Sequence, residues 1–201
     1  ATGGFALGNY SGGWQFAVGV TSPSTYAFLK APAAGAFNPD AYREYALHHK
    51  GKADHGRTLF LDLKGLACVK CHTVGKEGGT VGPELSSVGA KYPRDEIINS
   101  VLYPSARIFS GYEPVVVALS DGRIVTGIVK NETPETIEIE DAEAKHLRVP
   151  KTDIDERKKS DVSLMPNGLA EGLSPQDFAD LVTYLETLKE PAPPAKPGAG
   201  R

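Results

Sequence analysis

The sequence predicts a mainly α protein with a small antiparallel β insert between its third helix and a loop that contains Met165. Apolar residues recur at helical spacing in residues 53–64, 94–102 and 175–188. Between about residues 113 and 150 the spacing changes to two, and β-branched residues dominate. We therefore expect the helices to form the core and the insert to be an addition to it.

The first of these helices has a glycine where a second helix could pack. Leu59, Phe60 and Leu63 share one face of residues 53–64, and Gly65 is placed as the C-cap. Gly56 lies one turn before Phe60, where a missing side chain would allow close approach. A further helix is predicted to begin after Asn38, with proline at its first position.

The helix at residues 94–102 begins next to a proline and turns apolar residues inward. The last helix begins with a capping box, Ser174 and Asp177, and has proline at its first position. Its apolar stripe consists of Phe178, Leu181, Val182, Leu185 and Leu188.

The insert is predicted to contain four short strands. Asp121 and Gly122 join the first two strands, and this pair is typical of a type I′ turn. The stretches "TIEIED" and "HLRVP" give the other two strands. The acidic run at residues 132–143 is expected to be a solvated face, the alternative being a docking patch for a basic partner.

Composition excludes several classes of function. The chain has 201 residues, of which 40% are hydrophobic and 23% charged, with a net charge of -3. No basic stripe could neutralise nucleic-acid phosphates, and no apolar run approaches the roughly 20 residues that span a bilayer. Residues 1–50, which include Trp14, are expected to be an extension or arm of unknown role. Residues 51–189 are expected to form the main domain, and residues 190–201 a disordered proline-rich tail.

The chemistry of the chain is concentrated in "CVKCH", which contains both of its cysteines. A thioredoxin-like redox pair would follow a strand, and a zinc site would need a second ligand pair. The third interpretation is covalent haem attachment, in which Cys68 and Cys71 form thioethers and His72 becomes an iron ligand. The flanking residues favour haem. A haem histidine also needs an acceptor for its second ring nitrogen, which the glycine-rich loop after the motif could supply.

These residues resemble class I cytochromes c over most of residues 53–189. The resemblance implies a class I helical fold in which Gly56 and Phe60 cross a C-terminal helix at Tyr184, and in which the Pro83 carbonyl accepts from His72. The stretches "YPSARIFSGYEPVVVALSDGRIVTGIV" and "SLMPNGLAEGLSPQDFADLVTYL" are similar to the haem-binding domain of planctomycete and verrucomicrobial proteins. In that family the domain is commonly an electron-accepting module of a large extracytoplasmic protein.

Met165 is the only methionine in the chain, and in the family it would be the sixth iron ligand. His146 and His55 are the competitors for that role. Val81 is a further candidate for the pocket, and Arg107 and Tyr112 are candidates for the haem propionates. One haem c is expected, with His72 and Met165 on the iron. The expected cofactor-binding residues are Cys68, Cys71, His72, Pro83, Leu85, Ile97, Leu102, Arg107, Tyr112 and Met165.

The expected function is electron transfer without bond chemistry, in a periplasmic or otherwise extracytoplasmic location. The expected partner is a redox protein or a fused dehydrogenase domain. We expect no nucleic-acid partner and no membrane span in the chain. The alternative is a haem-based sensor or a peroxidase-like enzyme in which Met165 is displaced from the iron.

Overall fold

The computed structural model describes residues 37–190. The predictions for Trp14 and the rest of residues 1–36, and for residues 191–201 of the tail, lie outside the described residues. Within residues 37–190 no helix is long and apolar enough to cross a membrane.

Among the described residues, four helices of nine residues or more build one apolar core. They are α1 (Pro39–His48), α2 (Ala53–Leu61), α5 (Arg94–Leu102) and α6 (Pro175–Thr187). The predicted start signals are confirmed, because Asn38 accepts hydrogen bonds from two backbone amides of α1 and Ser174 forms a capping box with Asp177. α1 precedes the boundary predicted at residue 50, yet it packs against α5 and α6. Tyr42 and Ala46 of α1 are buried in the same core as Phe60.

α2 ends three residues earlier than predicted. The amide of Lys64 donates to the Asp62 carboxylate at 3.0 Å, and the amide of Ala67 donates to the Asp62 carbonyl at 2.9 Å. These local bonds compete with the helical ladder and turn the chain. Leu63, which was expected on the buried face, is therefore 68% exposed.

The crossing of α2 and α6 is as close as Gly56 indicated. A Cβ atom at residue 56 would overlap the carbonyl oxygen of Asp180 and lie 2.8 Å from the Cβ of Tyr184. The Phe60 and Tyr184 rings contact each other with centroids 5.6 Å apart. Glycine is thus required because the α6 backbone occupies the space of a side chain.

The remaining elements are short helices and two antiparallel sheets. α3 (Cys68–Cys71) and α4 (Val88–Lys91) each have four residues, and β1 (Thr73–Val74) pairs with β2 (Glu77–Gly78). Within residues 37–190, 3₁₀ turns occupy Lys151–Asp153 and Leu169–Gly172. The larger sheet has the strand order β6-β5-β4-β3-β7. Its strands are β3 (Val115–Leu119), β4 (Ile124–Glu132), β5 (Thr136–Glu140), β6 (His146–Pro150) and β7 (Ile154–Lys159).

The prediction of a mainly α fold with a small β insert is wrong. Of the described residues, 36% are helical and 22% are in strands, and the five-stranded antiparallel sheet makes the fold mixed α and β. The sheet also has an apolar cluster of its own, which includes Val117, Ile137 and Ile139 and is separate from the helical core. The class I helical fold was therefore too narrow a description.

The fifth strand, β7, was missed because it lacks an alternating pattern. Its residues after Ile154 are charged and exposed, and the strand forms because its backbone pairs with β3. The turn after β3 also differs from the prediction. Only Gly122 of the pair has a positive φ, +85°, so the turn is not type I′.

The acidic run is not entirely a solvated face. Glu140, at the end of β5, is only 1% exposed. Alternation along one strand could not show this, because the covering groups come from the loop after the cysteine motif and from β4.

Candidate functional site

The cysteine motif forms a single helical turn. Ala67 precedes it in a left-handed conformation, with φ +53°. Cys68 and Cys71 are then the first and last residues of α3, and both are free thiols. The amide of His72 donates to the Cys68 carbonyl at 2.9 Å, which places the imidazole directly after the turn.

The glycine-rich loop folds back over this turn through backbone hydrogen bonds. The amide of Gly79 donates to the Val69 carbonyl at 2.9 Å, and the amide of Gly82 donates to the Cys71 carbonyl at 2.8 Å. A Cβ atom at residue 79 would overlap the Lys70 carbonyl. The loop therefore needs glycine where it crosses the motif.

His72 is fixed by the same loop. Its Nδ1 lies 2.8 Å from the Pro83 carbonyl oxygen, which is the contact that the resemblance implied. A carbonyl only accepts, so Nδ1 carries the proton and Nε2 keeps its lone pair. Burial lowers the pKa of His72, and the bond to Pro83 opposes that effect. A Cβ atom at residue 82 would lie 2.8 Å from Nδ1, so the loop backbone packs against the imidazole.

An apolar cavity of about 420 Å³, counted with its open mouth, lies beside the motif. α2, α5 and α6 contribute walls, as do α3 and the loop before α6. The residues around it are Phe60, Leu66, Cys68, His72, Leu85, Val101, Met165, Leu169, Ala170, Leu173, Leu181 and Leu185.

Met165 reaches this cavity from the loop between β7 and α6. The amide of Met165 donates to the Ser163 hydroxyl at 3.1 Å, and this bond restrains the backbone of the loop. The amide of Ser163 in turn donates to the Ser105 hydroxyl at 3.0 Å. The loop is thus held in a way that keeps the thioether on the same cavity as Cys68 and His72.

The competing histidines lie elsewhere. His146 is on β6, where its ring nitrogens approach Glu138 at 3.4 Å and Glu140 at 3.3 Å. His55 is on α2, where Nδ1 lies 2.8 Å from the Asp180 carboxylate. Neither contributes to the cavity wall.

The other predicted residues are only partly brought together. Leu85 lines the cavity, and Val81 is buried in the adjoining loop. Ile97 and Leu102 are buried in the helical core, but the cavity wall takes Val101 from that helix instead.

The two predicted propionate partners do not line the cavity. Arg107 pairs with Glu96, and its guanidinium lies 4.9 Å from the centre of the Phe109 ring. The ring of Tyr112 contacts the sheet instead, because the Lys130 ammonium lies over it, 5.7 Å from the ring centre.

Sequence reasoning missed the wall formed around the 3₁₀ turn after Met165. Leu169, Ala170 and Leu173 line the cavity there. The apolar residues in "GLAEGLS" were the available signal, but a turn of four residues is too short to show a hydrophobic period.

The thiols lack the features of a redox pair. Burial raises the pKa of Cys68 to about 11, and burial also raises the pKa of Cys71. Reactive thiols have lowered pKa values, and thioredoxin-like motifs follow a strand, whereas α3 follows a turn. The zinc interpretation is not supported either. Among residues 37–190 the one group of three close metal-type ligands is His55, Asp177 and Asp180, which is away from the cysteines.

No protein-family model matches the chain, and no curated protein matches it.

Proposed function

We propose that the chain is a monohaem c-type cytochrome that transfers electrons. Cys68 and Cys71 would hold the haem covalently, and His72 and Met165 would be its axial ligands. The observation that carries this proposal is the apolar cavity, which brings Cys68, His72 and Met165 together from distant parts of the chain.

The residues present fit the group. The two thiols are one helical turn apart, and each can add across a vinyl group of the porphyrin, so that the S–H hydrogen passes to carbon without net oxidation. When bound, haem c supplies a reversible one-electron change at iron. The aliphatic and aromatic side chains around the cavity suit the apolar edge of a porphyrin.

Each polar group has a role that follows from its contacts. Because Nδ1–H donates its hydrogen bond to the Pro83 carbonyl, His72 offers its Nε2 lone pair and keeps one orientation. Met165 offers a thioether, a ligand that raises the reduction potential relative to a second histidine. The leucine-rich walls, including Leu181 and Leu185 of α6, surround the cavity with apolar groups that would limit the access of water to a bound haem.

The composition of the wall favours an electron carrier over a peroxidase-like enzyme. A peroxidase-like site needs a distal acid–base group. Among the described residues around the cavity, His72 is the only side chain of that kind, apart from the thiol of Cys68. We further propose an extracytoplasmic location and, as partner, a redox protein or a fused dehydrogenase domain.

Covalent attachment is the test. Expressed with a cytochrome c maturation system, the chain should gain the mass of one haem and keep it through acid–acetone extraction. The Cys68→Ala/Cys71→Ala variant is the control and should release any haem into the acetone. If the unmodified chain also releases its haem, the proposal fails.

A further inference from the structure

Two side chains of the five-stranded sheet contact the loop that carries Pro83. The Lys130 ammonium donates to the backbone carbonyl of Thr80 at 2.9 Å. The Thr80 hydroxyl donates to the Glu140 carboxylate at 3.3 Å. Lys130 and Glu140 also pair with each other at 2.8 Å. Residue 80 is therefore held through both its backbone and its side chain.

The geometry of the sheet places Lys130 and Glu140 next to Thr80. The register between β4 and β5 shifts between Val129 and Asn131, so Lys130 is the extra residue of a β-bulge. Bulges redirect side chains, and this one directs Lys130 away from the strand ladder towards Thr80. Gly127 allows β4 to lie close to β5, since a Cβ atom there would be 2.6 Å from Ile139.

Glu140 has little freedom to leave this arrangement. Its side chain is 1% exposed, and a buried carboxylate is costly unless it is paired. The imidazole of His146 approaches the same carboxylate at 3.3 Å. Its partners therefore fix the carboxylate, and the carboxylate in turn fixes the Thr80 hydroxyl.

Only two residues separate Thr80 from Pro83. Val81 is 3% exposed, and Gly82 is bound to the Cys71 carbonyl and packed on the imidazole of His72. With so few residues between them, a displacement of Thr80 is expected to shift the Pro83 carbonyl as well.

We propose that Lys130 and Glu140 are positioning residues for His72. They hold the Thr80 end of the loop, so that the Pro83 carbonyl stays on Nδ1 and the imidazole stays basic. With haem bound, this contact lowers the reduction potential, because a more basic ligand stabilises the oxidised iron. The effect on potential rests on the proposed function, whereas the effect on the loop does not.

The charge of Glu140 must be separated from its positioning role. Burial is the main cause that raises the pKa values of Cys71 and Tyr112, and the negative charge of Glu140 raises both further. The charge of Glu140 therefore acts near the cysteine motif. Removing that charge alone would change the potential through electrostatics. The test therefore uses Lys130→Met/Glu140→Gln, which removes the Lys130 contact, replaces the charge-assisted bond from Thr80 to Glu140 with a neutral one, and leaves the net charge unchanged.

The matched control is Glu156→Gln/Lys158→Met. These residues form an exposed ion pair at 2.7 Å on β7 of the same sheet. The readouts are hydrogen exchange of the Gly82 amide and of the His72 Nδ1 proton, followed by NMR, and the reduction potential of the haem-loaded protein. Exchange can be followed without haem as well.

In the Lys130/Glu140 double variant both protons should exchange at least about tenfold faster, since charge-assisted bonds of this kind contribute that much protection. The reduction potential should rise, and the control should match the unmodified protein in all three readouts. Lys130→Arg should retain slow exchange. Thr80→Val, which removes only the hydroxyl, should give a smaller change in the same direction and replaces the double variant if that variant does not fold.

Exchange at control rates would overturn the proposal. Faster exchange of the Gly82 amide alone, with the His72 Nδ1 proton and the potential at control values, would also overturn it, because the pair would then hold the loop without acting on His72. A chain that takes up no covalent haem but shows the faster exchange would refute the proposed function and leave the loop contacts supported.

Discussion

Gly56→Ala tests the close crossing of α2 and α6. The added Cβ would overlap the Asp180 carbonyl and lie 2.8 Å from the Tyr184 Cβ, whereas ordinary contacts begin at 3.4 Å. To relieve the overlap with the Asp180 carbonyl, α6 would have to move away from α2 by about an ångström. A gap of that size removes a quarter to a half of the van der Waals attraction of each contact across the crossing. Overpacking a core costs about 1–3 kcal/mol, and we expect the upper end because backbone blocks the relaxation.

A loss of about 3 kcal/mol corresponds to a fall in Tm of about 6–12 °C for a chain of this size. Thermal unfolding followed by circular dichroism measures it. The control is Gly172→Ala, because a Cβ atom at residue 172 would have nothing within 4 Å. This variant should melt at the same temperature or slightly higher. If Gly56→Ala melts together with Gly172→Ala, the crossing is not as close as described and the reasoning is refuted.

Three further predictions concern the proposed iron ligand, a buried carboxylate and the sheet. Met165→Ala should abolish the weak far-red absorption that a sulfur ligand gives to ferric haem, and it should allow carbon monoxide to bind. The reduction potential should fall by roughly 0.1–0.3 V, which is within the range that axial ligands span. An unmodified protein that lacks the absorption band and binds carbon monoxide rapidly would instead favour the haem-based sensor or peroxidase-like enzyme. Burial raises the pKa of Asp180, but hydrogen bonds from His55, the Lys52 amide and Gln176 outweigh it and hold the pKa below its ordinary 3.8. Asp180→Asn should therefore cost about 1–3 kcal/mol of unfolding free energy at neutral pH, and its deficit should shrink in denaturant titrations as the pH falls below 3.8; a deficit that is independent of pH would contradict this. The ends of residues 115–159 pair with each other, so a short glycine-serine linker can replace this segment. The helical core should stay folded and the haem spectrum should not change, but hydrogen exchange of the Gly82 amide should become faster. Loss of iron ligation would show that the sheet builds the cavity.

Local signals in the sequence were sufficient wherever neighbouring residues decide the structure. The starts of α1 and α6 follow from Asn38 and Ser174, because a cap is formed within one helical turn. Gly56, one turn before Phe60, was predicted to allow a close approach, and the structure shows that the approach requires glycine. The contact of His72 with Pro83 was implied by the resemblance, and it depends on a loop of only eleven residues.

The predictions failed where distant backbone decides the structure. β7 has no alternating pattern, and it is a strand only because β3 offers it a hydrogen-bonding edge. The four strands predicted before it therefore became a five-stranded sheet, and the fold became mixed α and β. Leu63 appeared to continue a helical face, but the Asp62 bonds end that helix first.

The cavity shows the same division. Residue chemistry selected Cys68, Cys71 and His72 as candidates, and the resemblance added Met165, the single methionine of the chain. Only the tertiary structure placed Met165 on the cavity while keeping His146 and His55 away from it. It also decided that Glu140 is buried, since the groups that cover a side chain come from other segments, and no period along its own strand records them.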